Sequence, residues 1–105
     1  MNGSRLKFAV GEVIHHRRFD YRGVIIDADA SFQLSEDWYD QVAVSRPPKT
    51  QPWYHVLVHG TDRTTYVAER HLEPDGSGMP VRHPLIADFF NEFHGGHYLD
   101  TRVIN

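Results

Sequence analysis

Apolar residues along this chain come in short runs broken by glycine, proline and charge. Most of the runs are too short and too rich in β-branched residues to be helices. Residues 8–16, with Phe8, Val10, Val13 and Ile14, read as a first strand. Arg17, Arg18, Phe19 and Asp20 make an exposed turn, and residues 21–27 return through Val24, Ile25 and Ile26 as a second strand. Two strands joined so closely form an antiparallel hairpin, and Gly23 inside the second predicts a bulge or bend. Residues 53–59 carry the strongest strand pattern of the sequence. Residues 60–63 supply a hairpin loop, residues 64–69 the returning strand, and residues 71–74 a short last strand before a flexible stretch from Asp75 to Gly78.

Helical signals are fewer. Residues 35–41 read as a short helix, with Ser35 as its cap and Glu36 and Asp37 in the first turn, where acids favour the positive helix end. Residues 46–52 hold Pro47, Pro48 and Pro52, which forbid a helix interior or central strand and predict an extended connector. Pro84 opens a longer amphipathic helix. Its stripe is Leu85, Ile86, Phe89, Phe90 and Phe93, and Gly95 and Gly96 end it. Its phenylalanines cap the sheet, and any apolar surplus would face a partner. These elements predict a mainly β fold: a small SH3-like antiparallel barrel with a short helical turn and one C-terminal amphipathic helix, a single domain spanning residues 1–105.

Composition narrows the function. With 105 residues, 40% hydrophobic and 24% charged, the chain has the makeup of a folded domain. It has no cysteine, which removes disulfides, thiolate metal sites and thiol catalysis. The first residues have charge and no apolar core of a secretory signal, and no run approaches a membrane span, so a soluble cytoplasmic protein is expected. The net charge is −3, against the basic excess usual in nucleic-acid binders. It is unevenly spread. Residues 1–26 carry Arg5, Lys7, Arg17, Arg18 and Arg22 against Glu12 and Asp20, a net +3, whereas residues 27–45 hold five acids and no base.

Candidate chemistry is sparse. Of the eight histidines, His55 and His59 share a strand face but stand about 13 Å apart by strand rise, too far for one ion. His94 and His97 lack the neighbours of a zinc pattern, so structural or solvent-facing histidines are the preferred reading and no metal is expected. Asp27 and Asp29 share a strand face as a carboxylate dyad would, but their acidic surroundings favour a solvated turn. No phosphate-binding glycine loop or nucleophile elbow is present, so neither catalysis nor a cofactor is expected.

A binding role remains. For nucleic acid the candidates are Arg17, Arg18 and Arg22 at the first hairpin, and Arg46 and Lys49 in the connector, with Phe19, Tyr21 and Trp53 able to stack. The plainer reading, in which the arginines solvate a turn and the aromatics are core, is the stronger one on the residues alone.

The run Phe8, Val10, Gly11, Val13, His15-His16-Arg17, Phe19, Tyr21, Gly23-Val24-Ile25, Asp27 and Asp29 resembles the HspQ/YccV-like, hemimethylated DNA-binding family. So do residues 51–58 followed by Thr65-Tyr66-Val67-Ala68-Glu69 and Leu72, and the His83-Pro84 step. The resemblance covers roughly residues 8–100. It implies a non-enzymatic, SH3-like, self-associating protein with one of two roles. One is a stress-response accessory that promotes degradation of denatured or selected proteins by a Lon-type protease. The other is recognition of hemimethylated DNA, affecting replication initiation. The acidic balance leans toward the first. For a protein partner the accessible C-terminal segment around Phe93, Tyr98 and Leu99 is the candidate surface.

Overall fold

A computed structural model describes residues 5–102. Its first strand, β1 (Val13–His16), pairs antiparallel with β2 (Arg22–Asp29) through the turn at residues 17–21. α1 (Glu36–Val42) follows, with Ser35 capping it by accepting the Trp38 N–H. Then come β3 (Trp53–Val58), β4 (Thr64–Ala68), a 3₁₀ turn at Glu69–His71 and β5 (Leu72–Pro74). The sheet order is β4-β3-β2-β1-β5, antiparallel throughout.

The expected antiparallel, mainly β architecture is present, but the sheet does not close. β4 and β5 are its two edges and do not pair with each other. β5 is three residues long and already spent against β1, and the β1–β2 turn meets β4 only through side chains, the Tyr21 and Thr65 hydroxyls lying 2.8 Å apart.

Strand alternation builds two cores on opposite faces. Ile14, Ile25, Tyr54, Val56, Val67 and Leu72 pack with Phe8 on one face. On the other, Val13, Val24 and Leu57 lie under Val81, Phe90 and Tyr98, while Trp53 and Ala68 lie under Tyr39 and Ala43. β3 is buried almost along its whole length because both faces are covered. Each fully buried aliphatic side chain contributes about 1.5–3 kcal/mol relative to exposure.

Two sequence expectations change here. The bulge lies at Ile26, where the β2–β3 register shifts, and not at Gly23. Gly23 instead lets β3 come close: a Cβ there would stand 2.5 Å from Val56 Cγ1 and 2.6 Å from the Leu57 carbonyl. The C-terminal helix is also cut to α2 (Ile86–Phe89), and the chain then extends at Phe90. Phe90 is buried against Tyr98, a contact that an uninterrupted helix would lose. Beyond it β6 (Glu92–His94) and β7 (His97–Leu99) form a hairpin. Gly95 and Gly96, both at positive φ, are its two-residue turn and not a helix cap.

This hairpin is sewn to the start of the sheet. The Tyr98 N–H donates to the Gly11 carbonyl at 2.7 Å, and the Tyr98 hydroxyl accepts the Val81 N–H and donates to the Val81 carbonyl. Gly11 has φ +95°, and a Cβ on it would stand 2.1 Å from the Tyr98 carbonyl oxygen. Replacing Gly11 by Ala therefore combines left-handed strain with a backbone clash and should cost about 2–4 kcal/mol. A fall in the urea unfolding midpoint measures it, and an unchanged midpoint would contradict this packing.

Candidate binding groove at the open edge

The β1–β2 turn is organised by His16, which is buried. Its Nδ1 accepts the N–H groups of Arg18 and Phe19, so the ring acts there as a neutral acceptor. The ring stacks on Phe19 and on His71, with centroids 4.8 and 5.6 Å away, and lies against Tyr21. Burial first, then the positive charge of His71, His15 and Arg18, pushes its pKa down to about 4. Its neighbour His15 behaves oppositely. Its Nδ1 meets Glu73 and its Nε2 meets Asp20, each at 2.7 Å, and these hydrogen bonds raise its pKa. Two carboxylates on one imidazole call for protons on both nitrogens.

Beside this turn a cavity of about 630 Å³ runs along β4. One wall is the turn, with His16, Arg18, Phe19 and Tyr21; His71 follows the strand, and Leu34, Trp38, Val42 and Val44 form the opposite wall. Much of this lining is both apolar and exposed: Val44 is 67% accessible, Phe19 64% and Val42 54%. Beneath it lies an aromatic cluster in which Trp53 stacks on Tyr66, Trp38 meets both edge-on, and Phe32 packs against all three. Arg18 and Arg63 line the cavity, and among the described residues neither has a carboxylate within ion-pair distance.

The five cations expected to form a nucleic-acid patch are not brought together. Arg22 is absorbed into the fold: it pairs with Asp75 at 3.1 Å and donates to the Met79 and Pro80 carbonyls. Arg46 pairs with Asp40 over the Tyr39 ring, and Lys49 pairs with Glu36. Arg17 and Arg18 remain, Arg17 only distantly opposed by Glu73 at 3.9 Å. Arg17 lines a second, smaller cavity with Lys7, Arg70 and the acidic Glu69; Lys7 counts toward the basic N-terminal segment but not among the expected contacts, and Arg70 lies 53 positions from Arg17 along the chain. Of the C-terminal candidates, Tyr98 is buried core, Phe93 packs on it at 4.6 Å, and Leu99 is exposed.

The Ile26 bulge sets Asp27 opposite His55 and puts Asp29 on the same face. One ligand atom from each of Asp27, Asp29 and His55 lies within 4.8 Å of the others, a spacing that can hold a cation. Asp29 Oδ2 already accepts the Tyr66 hydroxyl at 2.7 Å, so the group serves the fold as it stands.

A family model described as hemimethylated DNA-binding protein, YccV-like, matches residues 6–97. The chain belongs to that family. The YccV-like match takes in every strand of the five-stranded sheet, both walls of the groove and the His16 turn. No helix among the described residues of this YccV-like chain is long and apolar enough to cross a membrane.

The two histidines at the turn give opposite pH signatures. His16 contributes stability that is full above the ordinary histidine value of 6.5 and is lost as pH falls toward about 4. His15 contributes stability that is full below 6.5 and is lost as pH rises through its raised pKa. Histidine-ring NMR should find His16 neutral at a pH where His15 is fully charged. Simultaneous titration of the two rings would refute the arrangement.

Proposed function

We propose that this YccV-like protein is a non-enzymatic accessory of protein quality control. It holds apolar segments of denatured proteins in the groove along β4 and promotes their degradation by a Lon-type protease in the cytoplasm. The observation that carries the reading is the exposure of Phe19, Val42 and Val44 along one cavity. Grouped apolar surface of this kind marks a binding site, whereas apolar residues scattered singly would need no explanation. The chain's −3 charge and the internal pairing of Arg22, Arg46 and Lys49 weigh on the same side. Homo-oligomerisation and the SH3-like kinship of the sheet are part of the proposal.

Hemimethylated DNA, which the family description names, is the second reading. It is favoured by Arg17, Arg70 and Lys7 around the smaller cavity. Binding there would rest on phosphate contacts, and methyl recognition on the apolar groove alongside.

Two experiments separate the readings. Val42→Asp with Val44→Asp places charges where both side chains are exposed, so the fold should survive. Affinity for a permanently unfolded model protein should fall by about tenfold, and Lon-dependent degradation of that protein should slow with it. Retention of both would remove the groove from the function. Lys7→Ala with Arg17→Ala, neither side chain lining the groove, should leave that capture unchanged. If DNA is the ligand, the same pair should weaken duplex binding and flatten its salt dependence, with a slope change of about 1 per lost phosphate contact. An unaltered slope would remove the smaller cavity from DNA recognition.

A further inference from the structure

The groove's long side is the free edge of a β-sheet, and this specifies how a ligand would be held. Among the described residues β4 has β3 as its only neighbouring strand. The phase of the ladder follows from two bonds. The Val58 N–H donates to the Arg63 carbonyl across β3–β4, and the His59 N–H donates to the Arg22 carbonyl across β3–β2. Antiparallel ladders alternate between bonded and non-bonded pairs. Val56 therefore bonds Thr65 and Tyr54 bonds Val67, while Leu57 and His55 turn their backbone groups toward β2. Their partners on β4, Thr64 and Tyr66, consequently aim N–H and C=O outward, into the cavity they line.

The side chains there fit one kind of occupant. A strand laid against β4 would direct alternate residues to opposite faces of the sheet. On one face they would meet Trp38 and Tyr66, and on the other Phe19 and Tyr21. Arg63 stands immediately before β4 and Arg18 on the turn wall, both without carboxylate partners among the described residues. Natural sheets guard open edges with charge, proline or bulges. Arg63 stands only at the entrance of β4, and the strand itself, Thr64–Ala68, has no charge, proline or bulge.

We propose that the groove captures its ligand by strand addition: an extended, apolar-rich peptide with an adjoining acidic residue pairs as a sixth strand with β4. This rests on the reading of the groove as a site for unfolded segments and adds the backbone pairing and the acidic preference. The walls on both sides of the edge favour a single extended segment over a second copy of this chain, whose β4 would bring its own sheet and walls with it.

The test uses the full chain and four synthetic probes: a peptide alternating valine and serine and ending in aspartate, its analogue ending in lysine, and two versions N-methylated at alternate amides, one in each phase. Hydrogen exchange at Thr64 and Tyr66 should be fast in the free protein and slowed by the aspartate peptide. One of the two N-methylation phases should weaken binding by about tenfold, since two or three backbone bonds are lost. The lysine ending should weaken it several-fold, and Arg63→Glu should reverse that preference. Equal binding of both N-methylated forms, with the Val42→Asp, Val44→Asp variant still defective, would overturn strand addition and leave the apolar groove standing. No binding of any probe, together with undiminished capture of unfolded protein by that variant, would overturn the groove itself. Protection of Thr64 and Tyr66 that rises with protein concentration and no peptide would assign the edge to a second copy and overturn the proposal.

Discussion

An antiparallel sheet that stops short of closing must leave a row of backbone donors and acceptors at each edge. In this protein the five strands follow one another in hydrogen-bonded order, and the turn that approaches β4 does so by side chains alone. The exposed apolar groove follows from that incomplete seam. The apolar walls stand apart because no strand fills the space between them. The aromatic cluster under Trp38 can be reached from outside for the same reason, although its deepest members, Trp53 and Tyr39, are core.

The seam is kept in shape by a polar device at its corner. His16 is almost completely buried and uncharged, yet its ring nitrogen organises the backbone of Arg18 and Phe19. His15, one residue away, points to the other face and gathers Glu73 and Asp20 around a cation. Adjacent residues of a strand face opposite ways, so one dipeptide supplies a neutral acceptor inside and a charge outside. Asp20 adopts φ 56° in this turn, a conformation that aspartate tolerates better than most residues.

Strands β2 to β4 were legible because Val24-Ile25 and Val56-Leu57-Val58 are local signals: β-branched residues bounded by glycine and charge. Of the first expected strand, residues 8–16, only Val13–His16 is strand, and Gly11 turns the chain at positive φ. Ser35 and its acids likewise announced α1, and the structure starts the helix one residue after that cap. The C-terminal stretch misled for a physical reason. Leu85, Ile86, Phe89 and Phe90 fit a helical period, but Phe90 serves a partner, Tyr98, that only the folded chain brings near. Gly95-Gly96 is the same two letters whether it stops a helix or turns a hairpin. The site was less visible still. Arg22 finds Asp75 across more than half the chain's length, and Lys7, Arg17 and Arg70 meet only once β1, β4 and β5 are in place. Local charge counting cannot see such pairings, which are decided by register.

The bond between Gly11 and Tyr98 has a different kind of consequence. It holds the beginning and the end of the sheet-and-hairpin assembly side by side, 2.7 Å apart at N and O. Domains whose incoming and outgoing chains lie together can be spliced into a surface loop of a larger protein without stretching either one. The fold meets that geometric condition at Gly11 and Tyr98, while the core behind the open edge of β4 reaches back to Phe8, which packs with Tyr54, Val56 and Val67.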